Sequence, residues 1–298
     1  MKILATIFLF FLSFSTLTAK EMRGFLTTED IRLFFEQGYL LKRGCLSQEE
    51  INGLDKTTET LIKYALEEIQ RSIDQTLSER DQFLYIAGSR VVFKRHLDDS
   101  ISLARINGVS GMEPSLLETL RSEKMIYTFF ELLNTSELEH LISQIHPKLP
   151  GDGIAYPKHR DIQFRQSYDP DWQDILGNGS YAICIIPVDP MNATNGGLWI
   201  DKNSYPKPQG IEEEHIWIDA NPGDLLFMHP YLFHGSGPNL SSTSRRTLLT
   251  GFCAFGANHR PYPGADVNQQ LVLKDDGSIE TRHLSWSQKV TERTDANH

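Results

Sequence analysis

The sequence predicts an α+β protein: N-terminal helices flanking a double-sheet jelly roll, a double-stranded β-helix of cupin-like form. Apolar residues recur at helical spacing in the first half of the chain, whereas from about residue 150 they gather in short runs bounded by Gly, Pro and Asn. The 298 residues, 40% of them hydrophobic and including sixteen phenylalanines, are enough for one large core. No internal repeat, low-complexity tract or long linker divides them, so residues 20–298 are expected to form one domain. Within it, a helical part would span about 25–135, the jelly roll about 140–260 and an extension about 261–298.

The segment Thr27 to Gln37 has apolar positions on one helical face, with Thr28 as the expected N-cap ahead of Glu29 and Asp30. Ser47-x-x-Glu50 has the form of a capping box and opens a long helix predicted to reach about Ile73. Pro114 to Leu133 reads as further helix. Strands are predicted over Gly153 to Phe164, Tyr181 to Val188, Gly197 to Ile200, His215 to Ile218, Asp224 to Phe227 and Arg246 to Phe255. In the last of these Thr247, Leu249, Gly251 and Cys253 would share a face. Pro222-Gly223-Asp224 supplies a turn, and Gly235 and Gly237 are expected to let the chain bend just past His234.

The N-terminus reads as a secretory signal: Lys2, an apolar run from Ile3 to Leu12, then small residues ending at Ala19-Lys20. The run is short for a membrane span. Export to the periplasm or medium is therefore expected, with no membrane association once residues 1–19 are removed. A start at Met22 would instead leave a cytoplasmic protein. The net charge of −10 opposes binding to nucleic acid or anionic lipid. Oligomeric state is not legible. Cys45, Cys184 and Cys253 are odd in number and read as small buried hydrophobes, not as a disulfide framework or a zinc site.

The chemistry concentrates in His159-Arg160-Asp161 and the distant His234. On a strand, His159 and Asp161 would point to the same face, and a second imidazole from another strand would complete a two-histidine, one-carboxylate set. Such a set binds one side of Fe(II) and leaves the other side open. His229 competes with His234 for the distal role. His96, His140 and His215 lack partner spacing and read as ordinary polar positions.

Around His234 the chain reads Gly223-Asp224-Leu225-Leu226-Phe227, then His229-Pro230-Tyr231-Leu232-Phe233-His234-Gly235-Ser236-Gly237-Pro238-Asn239, then Ser242 and Arg245-Arg246. With the His-x-Asp pair, Asn195-Gly196-Gly197-Leu198-Trp199 and the opening from Thr27 to Glu50, this resembles the phytanoyl-CoA dioxygenase family of Fe(II)/2-oxoglutarate oxygenases over about residues 25–260. The resemblance implies Fe(II), 2-oxoglutarate and O2, with His159, Asp161 and His234 as metal ligands. It also implies hydroxylation of a small organic substrate with release of succinate and CO2.

Arg245, eleven residues beyond His234, matches the family's arginine that grips the far carboxylate of 2-oxoglutarate. Arg246 would face the other way, as a surface residue, unless the register slips and exchanges the two. Ser236 and Gln144 are further candidates for contact with the co-substrate. Position 160 departs from the family, whose members often have glutamine there; on a strand Arg160 would face away from both ligands. The alternatives are a cupin-like metal enzyme that does not use 2-oxoglutarate and a non-catalytic binding protein. Substrate contacts are expected from the loops Gln166 to Ser180 and Asp201 to Glu214.

Overall fold

The computed structural model describes residues 25–72, 82–96, 100–206, 215–264 and 269–283. Helix α1 (Thr28–Gln37) is capped one residue earlier than expected, by Thr27: its Oγ1 accepts the Asp30 N–H while the Asp30 carboxylate accepts the Thr27 N–H. Strand β1 (Tyr39–Lys42) follows, and α2 (Gln48–Ser72) opens on the Ser47/Glu50 capping box. The N-terminal signal segment lies outside the described residues.

The next region corrects the expectation of a helical part up to residue 135. Strands β2 (Gln82–Ile86), β3 (Ser89–Arg95) and β4 (Ile101–Asn107) form an antiparallel meander before short α3 (Leu117–Leu120) and α4 (Glu123–Leu133). Their charged and polar residues interrupt the apolar runs because these strands lie at one margin of the sheet. Strand β5 (Glu137–Lys148), β6 (Tyr156–His159), α5 (Asp161–Tyr168), β7 (Tyr181–Pro187), β8 (Leu198–Asp201), β9 (His215–Trp217), β10 (Leu225–Met228), β11 (His234–Ser236) and β12 (Arg245–Ala254) build the rest of the barrel. A final hairpin, β13 (Gln269–Leu273) and β14 (Ile279–His283), pairs onto β5.

Two sheets face each other. The larger has ten strands, in the order β1-β10-β7-β12-β5-β4-β3-β2 with β13 and β14 attached through β5, and the smaller runs β6-β11-β8-β9. The central strands β7, β10 and β12 of the large sheet are buried on both faces, which explains the unbroken apolar sequence of β7. Ala182, Cys184 and Ile186 point with Leu225, Phe227, Leu248 and Phe252 into a core shared with Phe34, Leu61 and Phe129 of the helices. The alternate residues Ile183, Ile185, Leu226, Leu249 and Cys253 face the small sheet, where they meet Leu198 and Ile200. The expected alternation in β12 is therefore present, and Thr247 and Leu249 line the cavity between the sheets. Cys45 is half-buried and the other two cysteines are buried; all three are free thiols.

Candidate metal centre

Strands β6 and β11 pair antiparallel, with His159 opposite His234. Their rings lie edge to face with centroids 4.2 Å apart. The chain does not continue as a strand through Asp161, as the sequence suggested. It turns at Arg160, whose N–H is received by the Gln163 side chain, and Asp161 becomes the first residue of α5. This strand-to-helix corner still turns the carboxylate toward the imidazoles. Asp161 Oδ1 is 3.9 Å from His159 Nε2 and 3.8 Å from His234 Nε2.

All three ligand atoms lie within 4.8 Å of one another. Nδ1 of His159 is 2.7 Å from the Pro157 carbonyl, and Nδ1 of His234 is 3.1 Å from that of Leu232. Carbonyls accept and cannot donate, so each ring holds its proton on Nδ1 and turns an Nε2 lone pair to the centre. Burial holds the His234 imidazole below its usual pKa, against the opposing pull of Asp161. Asp161 Oδ2 is buried without a hydrogen-bond partner. Two neutral nitrogens and a carboxylate with an unused oxygen form a donor set that fits a divalent first-row metal.

His229 stands apart from this cluster. It is buried against Tyr205 and Phe34, receives the Tyr231 N–H, and burial drives its pKa down to about 3. Of the histidines read as ordinary polar positions, His140 needs correction: it is fully buried, stacked on Phe252. His96 meets Ser102, and His215 stacks on Trp199.

Arg245 reaches into the same cavity from the first position of β12. Its Nη2 donates to the Gly196 carbonyl at 2.8 Å and its Nη1 to Thr247 Oγ1 at 3.1 Å, while Nε is buried and unsatisfied. Burial pulls its pKa down to about 10. Arg246 points to the opposite face, but that face is not solvent. It is covered by α2, and Arg246 is held there by Asp189 at 2.6 Å and Asp55 at 2.5 Å.

One important residue was not singled out from the sequence. Lys148, directly across from Arg245 in the β5–β12 pair, is fully buried. Its Nζ donates to Ser236 Oγ at 2.7 Å, to Gly196 O at 3.2 Å and to Gly237 O. Burial, then the neighbouring Arg245, lower its pKa to about 6. A lysine closing an apolar strand was the available signal. Gln144 also lines the cavity, where its Oε1 lies 3.3 Å from His146 Nε2, and His146 stacks on Tyr156. Arg160 packs over Phe233, 3.9 Å from the ring centroid, and does not line the cavity.

The conspicuous glycines serve this geometry. Gly196 turns with φ of 73° and presents its carbonyl to both Lys148 and Arg245. Gly235 and Gly237 do not adopt left-handed backbone, and Gly235 lies where the register of the β6–β11 pair shifts, between His234 and Ser236. Gly235 is required for space: a Cβ there would stand 2.5 Å from the Trp199 ring and 2.9 Å from the Tyr156 carbonyl.

The phytanoyl-CoA dioxygenase profile matches residues 34–247, which include every residue of this cluster. The chain belongs to the phytanoyl-CoA dioxygenase family. Membership makes it a non-haem Fe(II)/2-oxoglutarate-dependent oxygenase. It is 21% identical over 248 residues to a probable phytanoyl-CoA dioxygenase of Caenorhabditis elegans, covering 75% of this chain and 74% of that one. A phytanoyl-CoA dioxygenase of Arabidopsis thaliana is 24% identical over 262 residues, covering 74% and 87%. Among solved structures, EctD from S. alaskensis with 2-oxoglutarate and 5-hydroxyectoine superposes with a TM-score of 0.61 at 14% identity, covering 80% of this chain and 79% of that one. At that identity the likeness is one of fold.

Proposed function

We propose that this dioxygenase hydroxylates a small organic substrate, converting 2-oxoglutarate to succinate and CO2, with His159, Asp161 and His234 holding Fe(II). The observation that carries this reading is the convergence of two Nε2 lone pairs and one under-used carboxylate within 4.8 Å, inside a cavity of about 480 Å³. Fe(II) held by these three residues would supply the activation of dioxygen, and the residues of the chain orient and enclose the reactants.

In this reading Arg245 anchors the far carboxylate of 2-oxoglutarate through its fork, using the unsatisfied Nε among its donors. Lys148 holds the Ser236 hydroxyl beside it, and an arriving carboxylate would favour its charged form by opposing the repulsion from Arg245. Ser236 and Gln144 complete the polar wall. Apolar side chains from both sheets, among them Ile185, Leu198 and Leu249, exclude water from the remaining space. Residues 20–298 act as one catalytic unit in this reading, and residues 1–19 direct export, which N-terminal sequencing of the mature protein tests.

The test of the activity is succinate release by the purified protein with Fe(II), 2-oxoglutarate and O2. Release that depends on all three and disappears in His234→Ala supports the reading. A wild-type protein that binds iron but neither binds nor consumes 2-oxoglutarate returns the fold to the metal-dependent alternative.

A further inference from the structure

The cavity carries more positive charge than the co-substrate needs. Four arginines line it (Arg90, Arg105, Arg165 and Arg245), and Asp161 is the single carboxylate among its described lining residues. That carboxylate belongs to the metal cluster. In a chain of net charge −10, such a wall disfavours cations and favours anions.

Arg165 stands at the other end of the cavity from Arg245. Its guanidinium lies 5.4 Å from the Tyr181 ring centroid and 4.7 Å from that of Tyr262. The Tyr181 hydroxyl reaches Gly251, six residues along β12 from Arg245, or roughly 20 Å at the rise of a strand. The rings favour the positive charge through their faces but accept no N–H donor. Nε and Nη1 of Arg165 are buried with no hydrogen-bond partner. Arg90, in the same wall, likewise has a buried Nε without a partner, and the Tyr168 hydroxyl lies in the field of both arginines.

A buried guanidinium with idle donors is costly unless a ligand completes it. Arg165 is also four residues, one helical turn, from Asp161 on α5, which places its head close to the metal cluster. A short molecule gripped there would therefore carry its carbon skeleton past the reacting centre. Phe164, Tyr168 and Ile183 supply apolar and aromatic surface for that skeleton.

We infer that Arg165 is a substrate-binding residue and that the substrate is a small organic acid, its carboxylate held by Arg165 and its apolar body lying across the metal cluster. This rests on the oxygenase reading above and adds the substrate class to it. The carboxylate is distinct from that of 2-oxoglutarate, which belongs to the Arg245 end.

The experiment is anaerobic calorimetric titration of the Fe(II)-loaded protein, saturated with 2-oxoglutarate, by 3-phenylpropionate and by its uncharged amide. The acid should bind wild type at least tenfold more tightly than the amide. Arg165→Gln should remove that preference to within about twofold, and Arg165→Lys should restore part of it. Iron content and 2-oxoglutarate affinity of each variant report whether its fold is intact. Equal binding of acid and amide by wild type overturns the inference even if the variants do not fold. So does a preference that survives in Arg165→Gln, or displacement of the acid by additional 2-oxoglutarate. If wild type does not bind 2-oxoglutarate at all, the oxygenase reading fails, and the same acid-against-amide titration with Fe(II) alone still decides the role of Arg165.

Discussion

His159 and His234 are direct partners across the β6–β11 pair, and each ties its Nδ1 to the carbonyl two residues before it. The metal-facing nitrogens are therefore set by backbone pairing and not by side-chain choice alone. The third member, Asp161, comes from the first turn of the helix that β6 runs into.

This arrangement predicts that His159→Ala and His234→Ala lose bound iron, each by well over tenfold in affinity, because two remaining donors cannot hold the ion at low concentration. Asp161→Asn should lose less, since the amide oxygen remains a weak ligand. Iron content after dialysis and anaerobic Fe(II) titration check this. Stoichiometric iron in both histidine variants would remove these residues from the metal site.

The two neighbouring arginines should separate cleanly. Arg245→Ala is expected to weaken 2-oxoglutarate binding by about 2–5 kcal/mol with iron still bound, because a buried carboxylate is left without its partner. Arg245→Lys should recover only part, a point charge being no substitute for the fork. Arg246→Ala should instead cost about 2–4 kcal/mol of stability by stranding Asp189 and releasing Asp55, and with it α2, from β12, with co-substrate affinity little changed. Denaturant unfolding and 2-oxoglutarate titration of the three variants distinguish these effects.

Gly235→Ala tests the pairing itself. The new methyl group would meet the Tyr156 backbone carbonyl at 2.9 Å and the Trp199 ring at 2.5 Å, so β11 must move away from β6 or β8. Iron affinity should fall although no ligand is altered. Gly53→Ala, where the added Cβ has open space, is the control and should bind iron normally. Equal iron affinity in the two variants would show that the pairing tolerates the methyl group.

Glu139 should make stability fall with pH. Burial raises its carboxyl pKa to about 8 from an ordinary 4.5, while Asn258 donates a 2.7 Å hydrogen bond to Oε1. Between those two values the folded protein keeps a proton that the unfolded chain has released. Stability is therefore lost as pH rises from about 4.5 to about 8, by an amount on the order of a few kcal/mol, and changes no further on this account above pH 8. Glu139→Gln keeps an acceptor for Asn258 and removes the titration. The variant should melt higher than wild type at pH 8, with the difference shrinking toward pH 4.5. A gap independent of pH would mean that Glu139 does not titrate in this range.

By itself the sequence determined the family, the capping box that opens α2, the strands β7, β10 and β12, and the group His159, Asp161 and His234 that the fold brings within 4.8 Å, with Arg245 in the same cavity. These rest on local signals: capping residues, apolar runs buried on two faces, and residue types at a spacing that few other chemistries need. The preference for His234 over His229 also came from the residues that follow it, and the structure brings His234, not His229, to Asp161. Only the tertiary structure decided that Asp161 opens a helix, that Arg246 is locked under α2, that Gly235 is needed for room beside Trp199, and that the meander β2–β4 widens the large sheet. It alone placed Lys148 beside Ser236 and left Arg165 with idle donors among tyrosines. Each of these depends on what packs against a residue from a distant part of the chain, and such neighbours leave no periodicity or spacing in the local sequence.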